Sequence, residues 1–148
     1  MPILRHTMLT AAAFAVALST LAIAQSSKEE EARRPKIRLR AQPQVAIAPA
    51  HITITAELTG GSDDFAEYYC PAIEWEWGDE TSSESTTDCE PYEAGKSQIK
   101  RRYTVQHDFR RPGSYKIFLH LKAAGRVVGS GTTTLQVQPG VGSGPDGL

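Results

Sequence analysis

Tryptophans set beside carboxylates can mark a sugar-binding or glycosidase site, and the sequence carries such a run at Ile73–Ser85, IEWEWGDETSSES. Glycosidase chemistry needs two carboxyl groups whose surroundings push their pKa values apart. Glu74 and Glu76 instead alternate with Trp75 and Trp77. That is the spacing of one wet and one buried strand face, and nothing on a wet face raises one glutamate above the other. Of the histidines, His51, His107 and His120 fall on three different predicted strands, without H-x-x-x-H or H-E-x-x-H spacing. His107 is expected as a structural residue near a corner between strands. The serine of Gly129–Gly131, GSG, lacks the G-x-S-x-G frame of a nucleophile elbow. No acid, base and nucleophile converge, so the sequence predicts a protein that is not an enzyme and that needs no cofactor.

Calcium is the alternative chemistry, because it takes six to eight oxygens from flexible acidic loops. Asp63, Asp64 and Glu67 form one acidic group, and Asp79, Glu80, Asp88 and Glu90 form another. No D-x-D-x-D-G loop is present, and a metal site is not the primary expectation. Cys70 and Cys89 have no neighbouring histidine pair to complete a zinc site. In an oxidising compartment they are expected to form one disulfide.

The ends of the chain bear on that compartment. Met8–Ile23 is mostly apolar and follows Arg5 and His6, and Ala22-Ile23-Ala24 resembles a signal-peptidase site. Residues 1–24 therefore read as a cleaved signal peptide, too short in its apolar part to be a membrane span. No cysteine follows Ala24, so a lipoprotein anchor is not expected. Residues 25–35 read as a disordered, solvated leader, residues 36–138 as the domain, and residues 139–148 as a flexible Gly/Pro-rich tail. The mature protein is expected outside the cytoplasm, secreted or periplasmic, with no membrane insertion. The sequence contains no asparagine, so it offers no N-glycosylation acceptor.

The formal net charge of −1 conceals a segregation. Glu57–Glu93 contains acids and no Lys or Arg, whereas Lys96–Arg126 contains bases and a single acid, Asp108. The bases are spread over several elements, which argues for acidic strands lying beside basic ones and against a nucleic-acid partner.

What would position these residues is a set of strands. HITITAEL sets Ile52, Ile54, Ala56 and Leu58 on one face, and IEWEWG sets Ile73, Trp75 and Trp77 together. The same period of two groups Tyr103, Val105, His107 and Phe109, then Tyr115, Ile117, Leu119 and Leu121, then Thr133, Leu135 and Val137. KIRLR and QVAIA give a first strand split near Pro43. Glycine- and proline-containing turns punctuate these runs. Short strands at this spacing predict an all-β fold: a single antiparallel immunoglobulin-like sandwich of about seven strands. In such a sandwich a tryptophan on strand C fills the space between the sheets. The glutamates then face water, and Asp79 closes the turn by bonding its own backbone two residues on.

WEWGDETSS, HDFRRPGSYKIFLHL and GSGTTTLQV together resemble the PKD domain family. Trp75, Trp77, Gly78 and Asp79 match its W-D-F-G-D-G-like strand and turn. His107, Phe109, Pro112, Gly113 and Tyr115 match its later H-x-Y, P-G-x-Y segment. Glu80 stands where a second turn glycine is usual, Phe109 where tyrosine is usual, and Ser83–Ser97 is longer than usual. The resemblance implies an extracellular spacer or contact module. The expected function is therefore binding or structural support toward an unidentified protein or surface partner. An accessory or inhibitor-like protein docking on a secreted enzyme, or a calcium-binding module, are the alternatives.

Two finer expectations follow. A hairpin turning between Asp79 and Glu80 would set Cys70 directly opposite Cys89 across its base. With strands C, F and G side by side, the outer face of that sheet would show Glu74 and Glu76, then Lys116, Phe118, His120 and Lys122, then Thr132, Thr134 and Gln136. Phe118, with Lys116, His120, Glu74 and Glu76 around it, is the expected interface, since aromatics with a polar rim are enriched at interface centres.

Overall fold

The computed structural model describes residues 25–141. The expected signal peptide, and the tail beyond residue 141, lie outside the described residues. The chain divides into two compact units, one ending at Arg34 and one starting at Pro35. In the first, residues 25–33 form an exposed helix where the sequence suggested a disordered leader. Lys28, Glu29, Glu30, Glu31 and Ala32 are strong helix formers, and Arg34 lies 3.9 Å from Glu31 one turn back.

The second unit is built from eight strands in two sheets: β1 (Lys36–Gln42), β2 (Val45–Ile47), β3 (Ala50–Thr59), β4 (Ala72–Glu76), β5 (Ser82–Ser85), β6 (Arg102–Phe109), β7 (Gly113–Ala123) and β8 (Arg126–Gln138). One sheet has the order β1-β3-β6 and the other β2-β8-β7-β4-β5. This is the expected all-β, immunoglobulin-like sandwich, with strand C as β4, F as β7 and G as β8. Every pairing is antiparallel except β2 with β8, which is parallel. That exception follows from the split at Pro43: the chain leaves one sheet after β1 and joins the other as β2 without reversing direction.

The period-two faces close on one another. Ile52, Ile54 and Ala56 of β3 and Ile117, Leu119 and Leu121 of β7 are fully buried, and Trp75, Trp77, Leu135 and Val137 are nearly so. Two tryptophans remove on the order of 300–500 Å2 between them, a large share of a core this size.

The β4–β5 hairpin corrects one expectation. Its register sets Trp75 opposite Ser83 and Glu76 opposite Ser82, one residue away from the register that would have opposed the two cysteines. The Trp77 amide donates to the Thr81 carbonyl at 3.1 Å, so Gly78, Asp79 and Glu80 form the loop. Gly78 (φ 76°) and Glu80 (φ 69°) are both left-handed, the conformation in which glycine is usual and a side chain is strained. The disulfide between Cys70 and Cys89 nevertheless forms, with Cα atoms 6.3 Å apart. Both cysteines lie outside the strands, so the bridge ties two irregular segments and is not a cross-strand pair.

Candidate interaction surface

The acidic insertion between β5 and β6 is irregular but tied down. Besides the disulfide, the Tyr69 hydroxyl donates to the Glu90 carbonyl at 2.9 Å and the Tyr92 hydroxyl to the Asp64 carbonyl at 2.6 Å. The Ile99 amide donates to the Asp63 carbonyl at 2.8 Å, and Ile99 itself is buried. These bonds explain why a long polar segment can leave a strand pattern and still hold one path.

The turn motif and the later motif meet between the sheets. The His107 ring, projecting inward from β6, stacks on Trp77 at 4.2 Å with planes 2° apart. His107 Nε2 lies 2.8 Å from Asp79 Oδ2, and Asp79 Oδ1 accepts from the Thr81 amide at 3.1 Å and from the Thr81 hydroxyl. Burial pushes the Asp79 carboxyl up, but the bonds from His107 and Thr81 outweigh it and hold it below its ordinary range. Phe109 packs beside His107 and Tyr115 beside Phe109. The Tyr115 hydroxyl donates to the Arg111 carbonyl at 2.7 Å, which pins the turn carrying Pro112 and Gly113 in the manner of a tyrosine corner. The residues that carry the motif resemblance thus form one continuous structural unit, and this cross-sheet link was not visible from spacing alone.

Above that link is an open cleft of about 760 Å3, lined among others by His51, Asp79, His107, Asp108, Arg110 and Arg111. Its two histidines are each matched to a carboxylate. His51 pairs with Asp108, whose hydrogen bond raises the imidazole pKa while lowering that of the carboxyl. The chemistry available there is ion pairing and ring stacking.

The candidate calcium ligands do not converge. Asp63 accepts from Arg101 Nε at 2.8 Å, Asp64 accepts from the Ser62 hydroxyl, and Asp79 is held by His107 and Thr81. Among the described residues no three of His, Cys, Asp and Glu are placed to hold a metal ion.

The segregated charges meet in the fold. Glu57 pairs with Arg102 across β3 and β6, while Asp63 pairs with Arg101 and Glu67 with Arg126 at 3.7 Å outside the ladders. On the outer face of the five-stranded sheet, Lys122 Nζ lies 3.2 Å from Glu84 and 3.5 Å from Glu74, and His120 Nε2 lies 3.4 Å from Glu76. The carboxylate of Glu84, then that of Glu74, raises the Lys122 pKa.

Phe118 lies on this same outer face, opposite Glu76 on β4 and Thr132 on β8. It is half-buried. Lys116 Nζ sits 5.1 Å from its ring centroid, and the His120 ring stacks on it at 6.0 Å with planes 8° apart. His120 Nδ1 is buried without a partner among the described residues. Sequence reasoning missed Val45 and Ile47, which stand exposed on β2 at one edge of this face. The alternation of QVAIA held the signal: the small Ala46 turns inward, and the larger residues turn out.

No family model matches the sequence, and a search of curated proteins also finds no match. Among solved structures, the chain is similar to a PKD domain of an M14-like peptidase from Thermoplasmatales archaeon SCGC AB-540-F20. The identity is 14% and the TM-score 0.48, over 70% of this chain and 95% of that one. It is also similar to the CARDB domain of a Pyrococcus furiosus protein in complex with di-metal ions. There the identity is 11% and the TM-score 0.40, over 71% and 94% of the two chains. These likenesses concern the path of the backbone; the strand order and the buried faces of the two sheets define the sandwich.

Proposed function

We propose that this chain is an exported, non-catalytic PKD-like module that docks a partner protein on the outer face of its five-stranded sheet. The observation that carries the reading is Phe118. A half-buried aromatic ring on the outer side of β7 is contacted by Lys116 and stacked on by His120, and Glu76 and Thr132 stand opposite it on the neighbouring strands. A preoriented ring loses little side-chain freedom on binding, and rigid aromatics with polar rims are the usual interface anchors. The partner is a protein surface offering an apolar side chain to the ring and both signs of charge around it. Export is supported by the disulfide and by the signal-like Met8–Ile23 run. Non-catalytic action is supported by His107, Asp79, His51 and Asp108, which are engaged in structural pairs.

The test replaces Phe118 with Ser. Because the ring is half-buried on the outer face and outside the core, stability should fall by only about 1–2 kcal/mol with the fold retained, while partner capture from native envelope and culture medium should fall at least tenfold. Capture that survives the substitution contradicts the reading.

A further inference from the structure

β6 ends the three-stranded sheet, with β3 on one side and, among the described residues, no strand on the other. The Leu58 amide donates to the Arg101 carbonyl, and this fixes which β6 residues bond to β3. They are Tyr103, Val105, His107 and Phe109. In an antiparallel ladder the alternate residues then point their N–H and C=O groups away. These are Arg102, Thr104, Gln106 and Asp108, and no group among the described residues takes up those bonds. Natural edges are usually shortened, bulged, broken by proline or guarded by charged side chains. β6 runs for eight residues without proline or bulge, and its two charged residues, Arg102 and Asp108, are of opposite sign.

We propose that this edge pairs with β6 of a second copy of the same chain, antiparallel about a two-fold axis through Val105. The free backbone groups and the charges select that register together. With the axis at Val105, all four free residues oppose one another: Thr104 faces Gln106, and Arg102 faces Asp108 of the second copy. An axis at Gln106 would set Arg102 against Arg110. An axis at Thr104 would oppose Arg102 to Gln106 and carry Asp108 past the strand's start to Lys100. The two charges of β6 lie near its ends with opposite sign, so the strand complements itself, as an isologous contact requires.

The core side of β6 points the same way. Ile52, Ile54 and Ala56 on β3 are fully buried, yet their β6 partners His107, Val105 and Tyr103 face the same core and are only half-buried. The Tyr103 hydroxyl is buried without a partner. A second β6 would extend the three-stranded sheet to six strands across the pair, cover these side chains, and set Val105 against its own copy. In the single chain Arg102 and Asp108 pair with Glu57 and His51, but those pairs are exposed and exchange readily.

Sedimentation of the full exported chain tests the proposal, using Arg102→Asp and Asp108→Arg. The wild type should show a monomer–dimer equilibrium. Each single variant sets like charges opposite each other twice, and should weaken association on the order of tenfold or more. An equimolar mixture of the two should restore it as a one-to-one heterodimer, because Asp at 102 then faces Arg at 108. Circular dichroism confirms that each variant keeps its sheet. If one does not, Thr104→Pro removes an outward N–H without touching the bonds to β3, and should abolish the dimer. A wild type that stays monomeric at every concentration, or a mixture that does not associate, overturns the proposal.

Discussion

Replacing Asp79 with Ala should unfasten the two sheets at one end of the sandwich. The carboxylate accepts from His107 Nε2 at 2.8 Å and from the amide and hydroxyl of Thr81. Both side chains of the cross-sheet pair are mostly covered, at 21% and 22% exposure, so the bond is only partly screened. A hydrogen bond to a charged group contributes about 1.5–3 kcal/mol and a turn bond about 1. The loss should therefore be about 2–4 kcal/mol, on the order of 10 °C or more in Tm for a domain of this size. Urea unfolding followed by tryptophan fluorescence measures it, since Trp77 stacks on the same histidine. The pH dependence gives a second handle. The folded-state carboxyl lies below its ordinary range, so its contribution is complete above the unfolded pKa, about 3.9, and is lost as pH falls through the folded value. Asp79→Asn should remove that acid-side loss and flatten the low-pH limb. A variant within about 0.5 kcal/mol of wild type at neutral pH, the ordinary range for a surface change, would refute the cross-sheet link.

Gly78→Ala should cost about 3 kcal/mol, because φ is 76° and the added Cβ would meet the Lys116 carbonyl oxygen at 2.6 Å. Glu80→Gly should do the reverse, leaving stability unchanged or raising it by up to about 1 kcal/mol, because it relieves a left-handed side chain at φ 69°. Thermal melts of both variants check the pair. Replacing both Cys70 and Cys89 with Ser should cost about 3 kcal/mol by the chain-entropy relation for a loop of this size, read by denaturant midpoint. The first protease cuts of that variant should fall in the Thr86–Lys100 segment.

What was legible in the sequence was whatever obeys a period. Ile52, Ile54, Ala56 and Leu58, or Ile117, Leu119 and Leu121, declare their face by alternation, and the two sheets then follow from which faces must meet. The side-by-side order of β4, β7 and β8 followed from the fold class, and with it the meeting of Lys122 with Glu74. Cys70 and Cys89 pair, but the β4–β5 hairpin register is one residue away from the one that opposes them. The loop includes Gly78 because Asp79 is bonded forward to Thr81 and across to His107, and a contact to a residue 28 positions away leaves no local trace. The helix at residues 25–33 has no apolar stripe to declare it in the sequence; its support is propensity and charge spacing alone. The outward turn of Val45 and Ile47, and the unpaired edge of β6, depend on which strands end up as neighbours, and periodicity within a strand does not encode that.

Docking of a partner on the outer face of the five-stranded sheet can be read with a photo-crosslinking side chain placed at Thr132, beside Phe118, and separately at Thr55, on the outer side of the other sheet. A discrete adduct with a different protein should form from position 132 in the native envelope or medium, be lost when Phe118 is also Ser, and not form from position 55. Equal adducts from both positions, or an adduct at 132 that persists without Phe118, would contradict it.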